Sequence, residues 1–306
     1  MRHIIGIDLG GTNLRIGLFK ENLSLERKEV FSTKNFKNKI ELIEGIIESI
    51  EKIINYSRIK KQSILGVGLG VPGPVDYKKQ LVYFFPNIKG WHNVYLGRIL
   101  KKRLEMNVYI DNDTNLICLA EAKLGTAKGF KNIVCVSLGT GVGGGLIIEN
   151  QLYRGTDYVA GEIGHIPISE DGPICGCGKR GCLESYVGNR RIIEKAKKVF
   201  KRNISLEELS NLAKLNNKKA IKVWQDVGEK LGMALAGIVN LLNPQAVVIA
   251  GGVSKAGKVL FDSIKKNIKK RAMPIQAKKV KVLESYLKDD AGITGAALLV
   301  KEEVGC

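Results

Sequence analysis

The sequence lacks three features that would place the protein in a familiar class. No apolar run approaches the ~20 residues that a membrane-spanning helix needs, which argues against an integral membrane protein. The N-terminal stretch carries an acidic residue, Asp8, where a signal peptide would be apolar, so we expect a cytoplasmic protein. The pattern G-x-x-x-x-G-K-[ST] does not occur either, which argues against a P-loop enzyme.

Acidic residues are scarce relative to basic ones. The chain has 49 lysine and arginine residues against 30 aspartate and glutamate residues, so its formal net charge is +19. The basic clusters at 195–202 and 265–281 contain a single aromatic residue, Phe200, and therefore offer no stacking platform for single-stranded nucleic acid. We interpret the excess as a solvated, lysine-rich surface and expect no nucleic-acid partner.

Glycine, by contrast, is abundant, with 35 residues of 306. Two glycine-rich turns share one pattern, since Asp8 aligns with Ser137 at an offset of 137 − 8 = 129 residues and each turn follows an apolar strand. One such hairpin in each half predicts a duplicated fold with a cleft between the halves. A glycine turn exposes several backbone N–H groups to one point and can bind phosphate oxygens. Two purely structural turns are the alternative.

Strand and helix patterns alternate along the chain, which predicts an α/β protein. Besides the two hairpins, strands are predicted at 64–71, 108–110, 246–249 and 279–284. Helices are predicted at 39–57, 94–105, 114–124, 189–201, 205–215, 218–242 and from about 290 onward.

Three of the six cysteines lie within eight residues, downstream of a histidine in the pattern H-x9-C-x-C-x4-C. Three thiolates and one imidazole make a complete tetrahedral zinc site, and four protein ligands leave no open position for substrate. We therefore predict a structural zinc ion, with chance clustering of free cysteines as the alternative. The predicted ligands are His165, Cys175, Cys177 and Cys182.

Three acidic positions suit chemistry on a hydroxyl group. Asp113 precedes a predicted helix and fits an N-cap, but a helix N-terminus also favours an ionised carboxylate beside a substrate hydroxyl. Glu162 and Glu184 flank the cysteine cluster. Each is either a surface residue or, on a loop stiffened by metal, a candidate to bind a polyol.

Together these motifs resemble the ROK family of bacterial sugar kinases and related repressors. The matching motifs are D-x-G-G-T at 8–12, N-D at 112–113, L-G-T-G-V-G-G-G at 138–145, E-x-G-H at 162–165 and C-x-C-G-x-x-G-C-L-E at 175–184. The resemblance covers residues 3 to 300. It implies a two-lobed actin/hexokinase-like (ribonuclease H-like) ATPase fold with a duplicated βββαβα core and a central cleft. The lobes would be 1–112 with about 290–306, and 113–289.

The resemblance also implies a role for each motif. Asp8 would help to hold the hydration shell of Mg²⁺, the two glycine turns would bind the phosphates of ATP, and a third glycine pair would border the adenosine. Asp113 would be the catalytic base. The implied ATP positions are Asp8, Gly10, Gly11, Thr12, Asn13, Gly139, Thr140, Gly141, Gly251 and Gly252. The implied sugar positions are Gly73, Asn87, Asn112, Asp113, Glu162, His165 and Glu184.

The expected function is ATP-dependent phosphorylation of a hexose at a primary hydroxyl, with glucose as the leading substrate and a homodimer as the usual assembly. Two departures from the family pattern are Ile88-Lys89, where Leu-Pro is frequent, and the position of Asp8, which leaves no room for the repressors' helix-turn-helix. Kinases for fructose, mannose, allose, N-acetylmannosamine or N-acetylglucosamine remain alternatives. So do a sugar-sensing regulator, which would need neither the phosphate loops nor Asp113, and a zinc-containing nucleic-acid binder.

Overall fold

The computed structural model describes residues 2–33, 36–85, 88 and 90–305. The chain divides into two compact units, which are described separately. The first comprises Met1–Ala120, Leu152–Ala160 and Asp289–Cys306, and the second comprises Glu121–Gln151 and Gly161–Lys288.

The described residues form thirteen strands and ten α-helices. The strands are β1 (His3–Leu9), β2 (Asn13–Lys20), β3 (Leu25–Ser32), β4 (Ile64–Val71), β5 (Val75–Asp76), β6 (Leu81–Phe84), β7 (His92–Val94), β8 (Val108–Asn112), β9 (Ile133–Leu138), β10 (Val142–Ile148), β11 (Gln151–Leu152), β12 (Ala246–Ala250) and β13 (Lys281–Glu284). The helices are α1 (Lys39–Ser57), α2 (Leu96–Leu104), α3 (Asp113–Lys123), α4 (Glu184–Val187), α5 (Asn189–Phe200), α6 (Leu206–Lys214), α7 (Lys218–Leu242), α8 (Lys258–Arg271), α9 (Pro274–Lys279) and α10 (Ala291–Glu303).

The sheet of the first unit has the order β3-β2-β1-β4-β8. Strand β1 is antiparallel to β2 and parallel to β4, and β4 is parallel to β8. All seven residues of β1 are buried, because apolar helix faces cover both sides of the sheet. Helix α10 lies so close to the sheet that a methyl group on Gly6 would lie 2.1 Å from the carbonyl oxygen of Ile293.

Parallel pairing brings the carboxyl ends of three strands to one edge of this sheet. In the register of the sheet, Gly70 of β4 lies between Asp8 of β1 and Asp111 of β8. Ligands of α/β sheets bind at such edges, outside the carboxyl ends of the strands.

The sheet of the second unit repeats this arrangement, with the order β11-β10-β9-β12-β13. Strand β9 is antiparallel to β10 and parallel to β12, which is parallel to β13. The long helix α7 buries Trp224, Leu231 and Leu235 in the core of this unit. The predicted α/β class and the duplicated core are confirmed.

Several elements differ from the sequence-based expectation. Strand β10 begins at Val142, within the L-G-T-G-V-G-G-G motif at 138–145 that contains the predicted glycine-rich turn. The glycines at 143–145 belong to the strand because the 161–164 segment packs on them, and a methyl group on Gly144 would lie 2.2 Å from the oxygen of Gly161. The elements that were not predicted are β3, β5, β6, β7, β11, α4, α8 and α9. Among the described helices, none has the length and apolar character to cross a membrane.

Candidate active site and metal centre

Asp8 lies at the end of β1 with a nearly buried carboxylate. Its Oδ2 accepts a hydrogen bond from Nη1 of Arg15 at 3.3 Å. The first turn of α10 packs against it, since a methyl group on Gly292 would lie 2.5 Å from Cγ of Asp8. Burial raises the pKa of Asp8, and the Arg15 guanidinium opposes that effect only in part, while Asp289 adds to it.

The first glycine turn joins β1 to β2 and is accessible to solvent. The N–H of Gly10 donates to the oxygen of Asn13 at 2.8 Å and closes the turn. Gly11 and Thr12 are exposed, and the oxygen of Thr12 accepts from the N–H of Thr33 at 3.0 Å. The predicted phosphate-binding turn thus has a fixed backbone and an open face.

The Asp111-Asn112-Asp113 segment joins β8 to α3 and is held by hydrogen bonds from both sides. Oδ1 of Asn112 accepts from the N–H groups of Thr114 at 2.9 Å and Asn115 at 3.2 Å, so Asn112 caps the helix. Asp113, which also fitted an N-cap on local grounds, does not fill that role, because it is already the first helical residue. Its Oδ1 accepts from the N–H of Thr114 at 2.7 Å, which keeps the partly exposed carboxylate at the helix N-terminus.

One further hydrogen bond orients this segment. Nδ2 of Asn112 donates to the oxygen of Gly73 at 3.1 Å, and Gly73 has a positive φ of 90° that favours glycine. Asn112 and Gly73, both predicted sugar positions, are therefore neighbours. Asn87, another predicted sugar position, lies outside the described residues.

An ion pair that the sequence did not indicate anchors this segment at Asp111. Nε and Nη2 of Arg154 contact Oδ2 of Asp111 at 2.7 and 2.6 Å. The two residues are 43 positions apart, and neither belongs to a recognisable motif, so no local signal indicated the contact.

In the second unit, two glycine segments follow the ends of β9 and β12. The N–H of Gly139 donates to the oxygen of Gly141 at 3.0 Å and closes the second glycine turn. Gly251 follows β12 with a φ of 83°, and a methyl group there would lie 2.3 Å from the oxygen of Leu138. Gly139 and Gly252 face open space instead: apart from their chain neighbours, no described residue has an atom within 4 Å of an added methyl group.

The predicted zinc ligands come together in the second unit. The ligand atoms of His165, Cys175, Cys177 and Cys182 all lie within 4.8 Å of one another. Sγ of Cys177 lies 3.7 Å from Sγ of Cys182, and Sγ of Cys175 lies 3.7 Å from Nδ1 of His165. A tetrahedral zinc ion with Zn–S bonds of ~2.3 Å spaces its sulfur ligands at about 3.8 Å. The cluster therefore fits a metal ion of this kind.

The backbone around the cluster is tightly folded. The N–H of Gly178 donates to the oxygen of Cys175 at 3.0 Å, and Gly181 has a φ of 69° with no room for a side chain beside Ser169. Burial raises the pKa of the Cys175 thiol to about 12. A bound metal ion would deprotonate this thiol.

Glu162 and Glu184 lie on either side of the cluster. Oε2 of Glu162 lies 3.7 Å from Nε2 of His165, the ring nitrogen that the cysteines leave available. Burial raises the pKa of Glu162, an effect that His165 opposes and the Glu184 carboxylate reinforces. Oε1 of Glu184 lies 3.5 Å from Sγ of Cys175.

Comparisons with known proteins by sequence and by structure point to the same family. Residues 4–303 match the ROK family. The chain is 34% identical to the glucokinase of Thermotoga maritima, over 99% of this chain and 98% of that protein. It is 32% identical to the xylose repressor of Caldicellulosiruptor bescii, over 97% of this chain and 77% of that protein. A ROK family glucokinase from Streptomyces griseus, solved in complex with glucose and AMPPNP, has a TM-score of 0.88 and 29% identity, over 98% of this chain and 99% of that chain.

Proposed function

The chain belongs to the ROK family and is a sugar kinase, and we propose that it transfers the γ-phosphoryl group of ATP to a primary hydroxyl of a hexose. Glucose is the first candidate acceptor, because the relatives compared above include glucokinases and one glucose complex. The observation that carries the proposal is the Asp113 carboxylate, held at the N-terminus of α3 behind the Asn112 cap.

Asp113 suits the role of general base. A base must hold its carboxylate ionised and within hydrogen-bond reach of the attacking hydroxyl. The helix N-terminus favours the ionised form, and the bond from Thr114 fixes the direction of one oxygen. Asp113 then orients the sugar hydroxyl and accepts its proton, while Asn112 binds the sugar beside it.

We assign the ATP phosphates to the two glycine turns and the adenosine to the Gly251–Gly252 segment. Phosphoryl transfer depends on alignment and charge neutralisation more than on covalent help, and a Mg²⁺ ion supplies much of that neutralisation when it is bound. Asp8 suits the hydration shell of this ion, because it is the penultimate residue of β1, close to the first turn. Gly139 and Gly252 leave room for ligand atoms where a side chain would stand.

The cysteine cluster is assigned a structural zinc ion. Three sulfurs and Nδ1 of His165 fill all four positions, so Nε2 of His165 stays available for the Glu162 carboxylate or a sugar hydroxyl. Glu162, His165 and Glu184 would then bind the sugar from a loop that the metal stiffens.

The test is an ADP-release assay with Mg²⁺, ATP and a panel of hexoses and N-acetylhexosamines, followed by identification of the phosphorylated carbon by NMR. We expect one hexose to exceed the others at least about ten-fold in kcat/KM, a discrimination of about 1.4 kcal/mol. Binding of a sugar without ADP release would favour a sugar-sensing regulator, the second candidate, which the similarity to a xylose repressor supports.

A further inference from the structure

Arg154 belongs to a short excursion of the chain. The chain leaves the second unit at Leu152, contributes residues 152–160 to the first unit, and returns to the second unit at Gly161. The excursion is closed by a hydrogen bond from the N–H of Ala160 to the oxygen of Arg154 at 2.9 Å. Glu162, a proposed sugar ligand, follows the end of the excursion by two residues.

The Arg154 side chain is held by two residues of the first unit, Asp111 and Tyr77. Nε and Nη2 both contact Oδ2 of Asp111, at 2.7 and 2.6 Å. The guanidinium lies over the ring of Tyr77, with Cζ 4.1 Å from the ring centroid, and Tyr158 of the same excursion packs edge-on against Tyr77. The pair is well buried, with 15% of the Arg154 side chain and 2% of the Asp111 side chain exposed.

Asp111 connects Arg154 to the residues around Asp113. Its second oxygen, Oδ1, accepts from the N–H of Asn112 at 2.7 Å and from Nδ2 of Asn115 at 3.0 Å. Asn112 in turn caps α3, the helix that Asp113 begins. Within the described part of the chain, the donors to the Asp111 carboxylate are Arg154 and two residues close to Asp113, Asn112 and Asn115.

We propose that Arg154 is a positioning residue for the transfer reaction: through Asp111 it fixes the orientation of Asp113 at the N-terminus of α3. Arg154 touches neither reactant in this account. A buried ion pair of this kind is weak support for stability in general, since apolar groups of the same volume stabilise as well. It does specify one geometry, because the planar guanidinium hydrogen-bonds the carboxylate and stacks on the aromatic ring at the same time.

This inference rests on the proposed function, so its test combines kinetics with a measurement that needs no activity. In Arg154→Gln we expect kcat to fall roughly 10- to 100-fold, the cost of displacing a catalytic group by about 1 Å. The KM for the sugar should rise, while the KM for ATP stays within about two-fold, because the second glycine turn does not belong to this network. Arg154→Lys keeps the charge but loses the planar contact, and should fall between wild type and Arg154→Gln.

Hydrogen exchange supplies the independent readout. In Arg154→Gln the amides of Asn112, Thr114 and Asn115 should exchange about ten-fold faster or more. In wild type, opening of this segment breaks the buried charge pair, whereas the variant has no such pair to break. The same should hold in Asp111→Asn, and the double variant should be no worse than the poorer single variant. Arg190→Gln is the control. It breaks the ion pair between Arg190 and Glu194, in which the Arg190 side chain is 83% exposed.

Unchanged exchange at 112–115 together with kcat within two-fold of wild type would overturn the proposal. A lower Tm with normal kcat and KM values for the folded fraction would overturn it too, because Arg154 would then only stabilise the fold. If wild type phosphorylates no sugar, the proposed function fails, and the exchange result still decides whether Arg154 orders this segment.

Discussion

Oε2 of Glu184 accepts a hydrogen bond from the backbone N–H of Val142 at 2.9 Å. Val142 follows the second glycine turn and begins β10, and Glu184 begins α4, two residues after Cys182. The contact therefore joins the turn to the helix that follows the metal cluster. A methyl group on Gly141 would lie 2.6 Å from the same oxygen, so the turn and the carboxylate fit each other closely. Glu184 therefore supports the proposed phosphate-binding turn as well as flanking the metal cluster.

Replacement of Glu184 separates these roles. In Glu184→Ala the N–H of Val142 loses its partner, and we expect the KM for ATP to rise about ten-fold together with the KM for the sugar, because hydrogen bonds to charged groups contribute ~1.5–3 kcal/mol. Glu184→Gln keeps an acceptor for Val142, so its KM for ATP should stay within about three-fold of wild type. Steady-state kinetics with each substrate varied would measure both. An unchanged KM for ATP in Glu184→Ala would restrict Glu184 to the sugar.

The glycines of the second unit give a matched pair of substitutions. Gly252→Ala adds a methyl group that meets no protein atom within 4 Å, so the free energy of unfolding should be nearly unchanged while the KM for ATP rises. Gly251→Ala places its methyl group 2.3 Å from the oxygen of Leu138 and requires a φ of 83°, so it should destabilise the fold by about 1 kcal/mol or more. Urea unfolding and ATP kinetics of both variants are the measurements. Normal ATP kinetics in a stable Gly252→Ala would remove this residue from the adenosine site.

The sequence predicted most of the elements whose apolar pattern is local and strong. Helices α1 and α7 and strand β4 have the predicted bounds, 39–57, 218–242 and 64–71, because each buries a regular apolar face. Strand β3 was missed because its residues are mostly exposed and charged, as suits an edge strand. Helix α8 was missed because its lysines masked the buried face of Leu260, Ile264 and Ile268.

The candidate site divides in the same way. The four metal ligands lie close together in sequence and carry a pattern that chemistry alone explains, so their proximity was predictable. The contact of Arg154 with Asp111 depends on how a 152–160 excursion packs against the first sheet, and no spacing rule encodes that. Glu121 was also missed. It is fully buried in α3, and its carboxylate accepts hydrogen bonds from Ser285, Leu287 and Thr126, which only the tertiary fold brings together.

The metal assignment predicts one zinc ion per chain. Cys177→Ser should abolish zinc binding and lower the Tm by roughly 5 °C or more, since a structural zinc ion contributes directly to folding free energy. The KM for the sugar should rise as well, because Glu162 and Glu184 flank the cluster. Cys118→Ala is the control, since Cys118 is a buried free cysteine outside the cluster. Elemental analysis that finds no zinc in wild-type protein purified without chelators would contradict the assignment.

Asp8 predicts a pH dependence of stability with a definite sign. Burial raises the pKa of Asp8 above its ordinary value of 3.8, so its ionisation costs stability in the folded state. The contribution of protonated Asp8 to the free energy of unfolding is complete below pH 3.8 and is lost as the pH rises through the folded-state pKa. The free energy of unfolding of Asp8→Asn should therefore increase relative to wild type as the pH is raised from about 4 to 7. Urea unfolding across this range measures the difference.

Asp76 is the control for that measurement, since its pKa shifts the other way. Burial alone would raise the pKa of Asp76, but hydrogen bonds from the backbone and side chain of Lys79 lower it overall. Asp76→Asn should accordingly lose stability relative to wild type as the pH rises through the folded-state pKa, and this change is complete by about pH 3.8, so the unfolding measurements for this variant extend below pH 4. If Asp8→Asn followed the same direction, pairing with Arg15 would outweigh burial, and the account of Asp8 would be wrong.

Asp113 is the proposed general base of a hexose kinase. The most direct test is the rate of ADP release by Asp113→Asn with saturating Mg²⁺, ATP and the preferred hexose, together with sugar binding measured by calorimetry. Asparagine keeps an oxygen for the N–H of Thr114 but cannot accept the proton, so kcat should fall ~10²–10⁴-fold while the sugar Kd stays within about three-fold. Turnover within a few-fold of wild type would contradict the assignment.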